Sequence, residues 1–221
     1  MIKRDETKNK IVTIALELFQ KYGFEKTTMR QIAKKANLSL GAFYYYYNSK
    51  DSLVLDFYLQ TQKDLRDKTA ELIILNNKFS EILKIVYAKQ FEILVPYKSF
   101  LNILIKNAAD PSNPLSPFSQ HSKKIRQENI SLFKIIIEES KLKISGEFKE
   151  QLPHMLWLLQ MALIFFWLFD SSEECVKSFE LINNLVDLLS HLLKLQSFPL
   201  IKPFQKSLVQ IISDVISEIE R

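Results

Sequence analysis

The 221-residue chain is poor in the residues that build covalent cross-links, metal sites and phosphate loops. Its single cysteine, Cys175, excludes an internal disulfide and a cysteine-rich metal site, and suits a reducing cytoplasm. Three glycines are too few for a phosphate-binding loop or for the many turns of a β-sandwich or barrel. Three scattered histidines, His121, His154 and His191, do not have the spacing of metal ligands. We therefore expect no catalytic residue, no metal and no cofactor.

The first residues carry charge without a following apolar segment. MIKRDETKNK therefore does not resemble a secretory signal peptide, and we expect a cytoplasmic protein. Residues 1–50 contain ten Lys or Arg against four Asp or Glu, whereas residues 51–221 contain twenty against twenty-one. A basic first quarter on a nearly neutral remainder is typical of a nucleic-acid-binding module, although a charge run by itself is usually a solvated surface.

A pattern of two short helices joined by a tight turn lies between Thr27 and Leu53. Thr28 and Gln31 have the spacing of a capping box for the first helix, and Ser39 can cap the second. Asn37 lies where the chain must turn, and Asn tolerates the left-handed conformation that ends many helices. The pattern predicts a helix-turn-helix, whose second helix enters a DNA major groove.

The same segment reads T-T-x-R-x-I-A-x-x-A-x-L-S-x-G-x-F-Y-x-Y-Y-x-S-K-x-x-L. It closely resembles the DNA-binding segment of the TetR family of bacterial transcriptional regulators, over roughly residues 8 to 55, about a quarter of the chain. Asn37 stands where the family usually has Gly, Tyr46 where it often has His, and Tyr47 where it usually has Phe. The resemblance implies a sequence-specific, homodimeric regulator with a palindromic operator, most often a repressor that a small ligand releases.

The predicted fold class is all-α. A three-helix DNA-binding head is expected over residues 1–50, and a larger helical body for effector binding and dimerisation over residues 51–221. Apolar periodicity predicts the helices, and Ser171 and Glu174 are predicted to form a capping box. Apart from the two helices of the helix-turn-helix and the apolar run 151–169, seven helices are predicted. They span residues 7–22, about 50–75, 79–95, 97–109, 118–144, 171–195 and 198–219.

Several predicted DNA contacts go to bases. Arg30 offers a guanidinium fork to guanine O6 and N7, and Gln31 offers an amide to adenine, although its capping role competes. Gly41 and Ala42 have almost no side chain, so the recognition helix can approach the groove floor. Leu40 and Ala42 can touch thymine methyl groups.

The four consecutive tyrosines divide between packing and DNA contact. Phe43 and Tyr47 are four residues apart and are predicted to share the buried side of the second helix. The family resemblance assigns Tyr45 to a position that reaches bases. The predicted phosphate contacts, which set the register on DNA, are Thr28, Ser39, Tyr44, Tyr46 and Lys50.

Residues 151–169 contain no Asp, Glu, Lys or Arg and approach the length of a membrane span. Gln151, Pro153, His154 and Gln160 interrupt the run, so we favour a helix buried within a soluble protein or oligomer over a membrane span. Paired with the segment near 172–195 and doubled by a twofold axis, it would form a four-helix dimer interface. The family resemblance implies the same interface.

The resemblance also implies an unknown small-molecule effector bound in the body. Aromatic residues are candidates for lining its pocket, although each is more often ordinary core: Phe91, Tyr97, Phe100, Phe118, Phe133, Trp157, Phe165, Phe166 and Trp167. The rival readings are an enzyme, a non-specific DNA-packaging protein, whose binding would depend on salt but not on sequence, and a membrane-tethered variant.

Overall fold

The computed structural model describes residues 2–75, 78–105, 110–142, 144, 146–195 and 202–220. These residues contain α-helices and no β-strand, which confirms the all-α prediction. A short 3-10 helix at Val95–Tyr97 directly follows the α-helix that ends at Leu94, and another at Glu173–Cys175 directly precedes the α-helix that begins at Val176. The α-helices are α1 Ile2–Tyr22, α2 Met29–Lys35, α3 Leu40–Tyr44, α4 Lys50–Leu75, α5 Phe79–Leu94, α6 Lys98–Leu104, α7 Lys123–Glu139, α8 Glu147–Phe169, α9 Val176–Lys194 and α10 Lys202–Glu220.

Several helix ends differ from the sequence prediction. Helix α1 begins at Ile2 instead of residue 7, because the basic N-terminal segment contains no Gly or Pro to stop it. It ends as predicted at Gly23, whose φ is 86°. Residues 106–109 and 196–201, which include the predicted end of one helix and the predicted start of another, lie outside the described residues.

The predicted helix 118–144 is wrong at both ends. Helix α7 begins only at Lys123, because a run of serine turns precedes it. The Ser122 hydroxyl donates to the Ser116 and Ser119 carbonyls at 2.7 and 3.0 Å, and these bonds favour turns over a helix. At the other end Lys141 takes a φ of 50°, which a continuing helix does not allow.

The predicted capping box at Ser171 and Glu174 is also wrong. Asp170 does the capping: its carboxylate accepts from the backbone N–H groups of Ser172 and Ser178, each at 2.9 Å, and from both hydroxyls at 2.6 Å. Two carboxylate oxygens satisfy more donors than one serine hydroxyl can. Burial raises the pKa of Asp170, but these hydrogen bonds outweigh burial and hold the pKa below its ordinary value. Glu174 and Cys175 follow with φ near 50°.

The described residues divide into two compact units. The first comprises the residues up to Thr61 together with Pro96–Ser122, and the second comprises Gln62–Val95 together with the residues from Lys123 onward. Helix α4 contributes its first half to one unit and its second half to the other.

The core of the first unit joins α1, α4 and α6 to the two short helices. The Phe19 ring stacks on Phe100 with centroids 5.5 Å apart, and Phe57 meets Tyr97 edge-on at 4.7 Å. The Gln20 amide donates to the Pro96 carbonyl at 3.1 Å. Helix α6 thereby braces α1, the helix on which α2 packs.

The second unit packs α8 against α7 and α10, and α9 against α5. Both tryptophans, Trp157 and Trp167, are fully buried there. The Arg126 side chain is buried and binds Glu220 through Nε and Nη2 at 3.0 and 2.9 Å, which ties the end of α10 to the start of α7. The partial exposure of Glu220 reduces the cost of burying this charge pair.

Helix α8 is the one described helix that is long and apolar enough to cross a membrane. Within its most apolar window 44% of the residues are buried against the rest of the protein, and the core helix of a soluble protein passes the same test of length and composition. Pro153 lies inside this helix and is buried.

Candidate nucleic-acid interface

The start of α2 is fixed by the predicted capping box. Thr28 Oγ1 accepts from the Gln31 N–H at 3.2 Å, and Gln31 Oε1 accepts from the Thr28 N–H at 2.8 Å. This reciprocal pair satisfies two N–H groups that a helix start otherwise leaves without partners. A bidentate contact between Gln31 and adenine needs the same oxygen, so that contact requires the cap to open.

The turn between α2 and α3 also follows the sequence prediction. Asn37 adopts φ 60°, the left-handed conformation, and the Leu38 N–H donates back to the Ala33 carbonyl at 3.0 Å. Ser39 Oγ then accepts from the Ala42 N–H at 3.2 Å and caps α3. The predicted helix-turn-helix is therefore confirmed in the local backbone.

The tyrosine run separates into buried and exposed members as predicted. Phe43 is fully buried and Tyr47 is nearly so, whereas Tyr45 is 68% exposed and Tyr44 is 49% exposed. Tyr46 is half-buried, with its ring edge-on to Tyr45 at 5.3 Å. Two large aromatic side chains thus face outward from a helix whose opposite side is anchored in the core.

The rest of the predicted contact set is accessible at the same surface. Gly41 has nothing within 4 Å of the position that a Cβ would take, so internal packing does not require a glycine there. Leu40, Tyr46 and Lys50 are half-buried. The exposed members of the set are Thr28, Arg30, Gln31, Ser39, Gly41, Ala42, Tyr44 and Tyr45.

The Lys50 side chain makes contacts within the protein that the sequence did not indicate. Its Nζ donates to the carbonyl oxygens of Phe24 and Glu25 at 2.6 and 3.3 Å, and lies 4.5 Å from the centroid of the Phe24 ring. An ammonium group has three protons, so two carbonyl contacts leave one for a phosphate oxygen. Lys50 therefore ties the start of α4 to the loop before α2.

Two basic residues of the N-terminal segment Lys3–Lys10, which could approach phosphate or a groove or could equally be a solvated terminus, lie near this surface outside the predicted contact set. The Arg4 guanidinium lies 5.4 Å from the centroid of the Tyr45 ring, and Lys8 Nζ lies 5.4 Å from that of Tyr47. The signal was their spacing of four residues, which puts both on one face once α1 is extended to Ile2. Arg4 adds positive charge beside the exposed Tyr45, whereas Lys8 adds it beside the buried Tyr47.

Tyr47, which lies just after the end of α3, links this segment to α4. Its hydroxyl donates to Asp56 Oδ2, and Lys8 Nζ lies 3.8 Å from the same oxygen. Burial, and then the hydrogen bond and charge of Asp56, raise the pKa of Tyr47 well above its ordinary value, so the phenol stays protonated. The residue therefore acts as a fixed donor in the core.

Across the described ranges, no three His, Cys, Asp or Glu side chains are grouped to hold a metal ion. Cys175 is half-buried, and its Sγ lies 3.8 Å from the Asp170 carbonyl oxygen.

Sequence comparison finds two matching family models. The one described as bacterial regulatory proteins, tetR family, matches residues 11–57, and the one described as tetracyclin repressor-like, C-terminal domain, matches residues 82–210, more than half of the chain. The first match covers α2, α3 and the start of α4, which form the surface described above.

Individual proteins agree with these matches. The uncharacterized HTH-type transcriptional regulator YerO of Bacillus subtilis is 29% identical over 133 residues, which cover 59% of this chain and 45% of YerO, so the match spans less than half of that relative. The biofilm operon icaADBC HTH-type negative transcriptional regulator IcaR of Staphylococcus aureus is 31% identical over 145 residues, 63% of this chain and 74% of IcaR.

A solved structure extends the likeness over most of the chain. The transcriptional regulator FadR from Bacillus subtilis, in complex with stearoyl-CoA, superposes with a TM-score of 0.62 over 80% of this chain and 96% of that chain, at 18% identity. The family matches and the helix-turn-helix geometry confirm the resemblance found in the sequence. The chain belongs to the TetR family of bacterial transcriptional regulators.

Proposed function

We propose that this regulator is a cytoplasmic homodimer that represses transcription by binding a palindromic operator and releases it when a small apolar or amphipathic ligand binds. The observation that carries the proposal is the surface of α2 and α3, where exposed polar and tyrosine side chains stand on a backbone fixed by two side-chain caps. We also propose residues 1–50 as the DNA-binding domain and residues 51–221 as the effector-binding and dimerisation domain.

Base reading is assigned to the start of α2 and the exposed face of α3. Arg30 contacts guanine, Tyr45 reaches a base edge, and Gly41 and Ala42 bring α3 close to the groove floor with Leu40 and Ala42 against thymine methyls. Gln31 contacts adenine only when its cap opens. Phosphates are held by Thr28, Ser39, Tyr44, Tyr46 and Lys50.

Lys50 offers a physical route from the body to DNA. It is the first residue of α4, and its ammonium group already holds the carbonyls of Phe24 and Glu25. We propose that it also binds a phosphate, so that a tilt of α4 moves the ammonium group and weakens DNA binding. Ligand lowers operator affinity only to the extent that it binds the tilted state more tightly.

The dimer is assigned to helices near 151–169 and 172–195. The end of α8 exposes three phenylalanines, Phe165, Phe166 and Phe169, and α9 exposes Leu188 and, further on, Leu192. Exposed apolar side chains on these two adjacent helices support a bundle formed with a second copy. Two of the residues considered for the effector pocket, Phe165 and Phe166, are thereby reassigned to this interface.

A matched pair of variants tests the interface. Leu188 on α9 is 54% exposed and Ile211 on α10 is 57% exposed, so a lysine is accommodated at either position in the monomer. We expect Leu188→Lys to shift the sedimentation coefficient to that of a monomer and Ile211→Lys to leave the dimer intact. The reverse result would move the interface to α10.

Two similar proteins support the proposal that this regulator represses transcription and that a ligand releases it from DNA. IcaR is described as a negative transcriptional regulator, and the FadR structure contains stearoyl-CoA, a ligand with a long apolar chain. These support a repressor with an apolar or amphipathic effector. Within the second unit, Phe91, Phe133, Trp157 and Trp167 are buried and remain candidates for the lining.

In vitro selection of DNA fragments by the purified protein, at two salt concentrations, tests the proposal. We expect a palindrome whose half-sites lie about 34–36 Å apart or a multiple of that distance, and whose enrichment survives the higher salt. Recovery of unrelated sequences that are all lost at higher salt would indicate non-specific binding and contradict the proposal.

Arg30 can be tested on the selected palindrome. Arg30→Ala should cost about 1–3 kcal/mol and relax preference at one base pair in each half-site. Arg30→Lys is the matched control, because it keeps the charge but loses the planar fork. If lysine restores full affinity and preference, Arg30 is a phosphate contact.

A further inference from the structure

Three glutamines from different helices meet inside the second unit. Gln160 Nε2 on α8 donates to Gln90 Oε1 on α5 at 3.1 Å, and Gln62 Nε2 on α4 donates to the same oxygen at 3.4 Å. Gln90 and Gln160 are each only 1% exposed. An amide pair at this depth is unusual, because glutamine side chains mostly lie at the surface.

The pair has unused hydrogen-bonding capacity. Gln90 Nε2 and Gln160 Oε1 are buried and have no hydrogen-bond partner among the described residues. Rotating the Gln160 amide by 180° would not use these groups, because it would place the Gln160 oxygen against the Gln90 oxygen. The pair therefore keeps one unused donor, Gln90 Nε2, and one unused acceptor, Gln160 Oε1. Buried polar atoms without hydrogen-bond partners make the core less stable than two apolar side chains at the same positions would. The arrangement therefore favours recognition of a molecule over stability.

The surroundings of the pair are apolar and aromatic. One turn before Gln90, Tyr87 is buried with its hydroxyl donating to the Leu156 carbonyl at 2.9 Å. Directly after Gln90, Phe91 stacks on Trp167 with centroids 5.3 Å apart. Aromatic side chains of α5 therefore precede Gln90 by one turn and follow it directly in the chain.

The one cation that is fully buried among the described residues, Arg126, does not favour an anionic ligand. Arg126 lies with its guanidinium 5.9 Å from the Trp157 ring, but it already binds Glu220 through two nitrogens. An ionised head group beside the amides would therefore be buried without a counter-ion of its own, which is costly.

We propose that Gln90 and Gln160 bind the head group of the effector, and that this head group is uncharged and carries both an acceptor and a donor, as a carboxamide or a hydroxyl does. The acceptor of the head group accepts a hydrogen bond from Gln90 Nε2, and its donor donates a hydrogen bond to Gln160 Oε1. The apolar or aromatic body of the effector lies against the surrounding side chains. The inference rests on the proposed ligand-released repressor, because it names the chemistry of that repressor's effector.

Gln62 connects this site to α4. Its bond to Gln90 Oε1 is long, at 3.4 Å, and it stands at the point where α4 passes from the first unit to the second. A ligand that moves the Gln90 amide breaks or shortens this bond. Helix α4 thereby senses occupancy through a residue that does not itself touch the ligand.

The test uses tryptophan fluorescence, because the chain has two tryptophans and both are buried in the second unit. The probes are 4-phenylbutanamide, 4-phenylbutanoate and butylbenzene, which share an apolar body and differ in the head group. At pH 7.5 we expect saturable binding of the amide, with the carboxylate and the hydrocarbon each at least about tenfold weaker.

Variants then assign the head group to the glutamines. Gln90→Met and Gln160→Met keep length and flexibility but remove the amide, and each should weaken amide binding about tenfold while leaving butylbenzene unchanged. Gln127→Met, at an exposed position on α7, is the matched control and should bind like the parent. Thermal melts accompany each variant. A single methionine leaves the other buried glutamine without its partner, so we expect each single variant to fold but to be less stable than the parent, and the double variant Gln90→Met/Gln160→Met to be at least as stable as the parent.

Three results would overturn the inference: no saturable amide binding by the parent protein, equal or tighter binding of the carboxylate, or unchanged amide binding by folded methionine variants. The comparison of probes uses only the parent protein, so it decides the matter even if the variants fail to fold. Operator binding without ligand is measured separately. If DNA is bound specifically but the amide is not, only the inference about the head group fails.

Discussion

The family pattern and the structure predict different effects on stability for the substitution Tyr47→Phe. The family usually has Phe at this position, so a change toward the common residue is expected to be neutral or stabilising. In this protein the Tyr47 hydroxyl donates to Asp56 and the ring is 4% exposed. Tyr47→Phe therefore removes a hydrogen bond that joins the segment directly after α3 to α4.

The magnitude follows from the partners that Asp56 keeps. A hydrogen bond to a charged group contributes about 1.5–3 kcal/mol. After the substitution the carboxylate still has Lys8 Nζ at 3.8 Å and Gln60 Nε2 at 3.4 Å, and it is half-buried, so it is not left unpaired. We therefore expect the low end of the range, about 1.5 kcal/mol, which corresponds to a fall in Tm of about 3–6 °C.

The assay is thermal and urea unfolding followed by circular dichroism, with Tyr45→Phe as the matched control. Tyr45 loses the same hydroxyl, but it is 68% exposed, so its free energy of unfolding should stay within about 0.5 kcal/mol of the parent. A Tyr47→Phe protein as stable as the Tyr45→Phe protein would refute the reasoning and show that the hydroxyl contributes nothing.

Three further predictions concern stability. Asn37→Gly should stabilise by about 0.5–1 kcal/mol and Asn37→Ala should destabilise by about 1 kcal/mol, measured by urea unfolding, because φ is 60° at this residue. The pKa of Asp170 is lowered in the folded protein, so its contribution is present above about pH 4 and is lost as the pH falls further. Acid titrations should show this loss in the parent and less of it in Asp170→Asn. The pKa values of Tyr47 and Tyr87 are raised, so their contribution is present below about pH 10 and is lost at higher pH, where tyrosinate absorbance should rise together with loss of helical dichroism.

The parts of the interface that the sequence predicted are those set by neighbouring residues. The Thr28–Gln31 box, the left-handed Asn37 and the Ser39 cap each depend on atoms within a few positions along the chain. The division of the tyrosines also follows from helix periodicity, since Phe43 and Tyr47 lie on one side.

The parts that were missed depend on contacts between distant segments. The carbonyls that hold Lys50 come from residues about 25 positions earlier, and periodicity within α4 carries no trace of them. Gln160 was noticed only as a polar interruption of an apolar run, because its partner Gln90 is 70 positions away. The capping error at α9 had a local cause: Asp170 competes with Ser171, and a carboxylate with two oxygens accepts more hydrogen bonds.

Titration of a labelled duplex tests sequence-specific binding by a dimer, on which the proposed repression depends. The selected palindrome is compared with the same fragment in which one half-site is scrambled, and with unrelated DNA of the same length, at about 0.1 and 0.3 M salt. We expect two protomers on each intact duplex and an affinity about a thousandfold or more above that for unrelated DNA, a ratio largely kept at the higher salt. Equal affinity for intact and scrambled duplexes, falling together as salt rises, would contradict it.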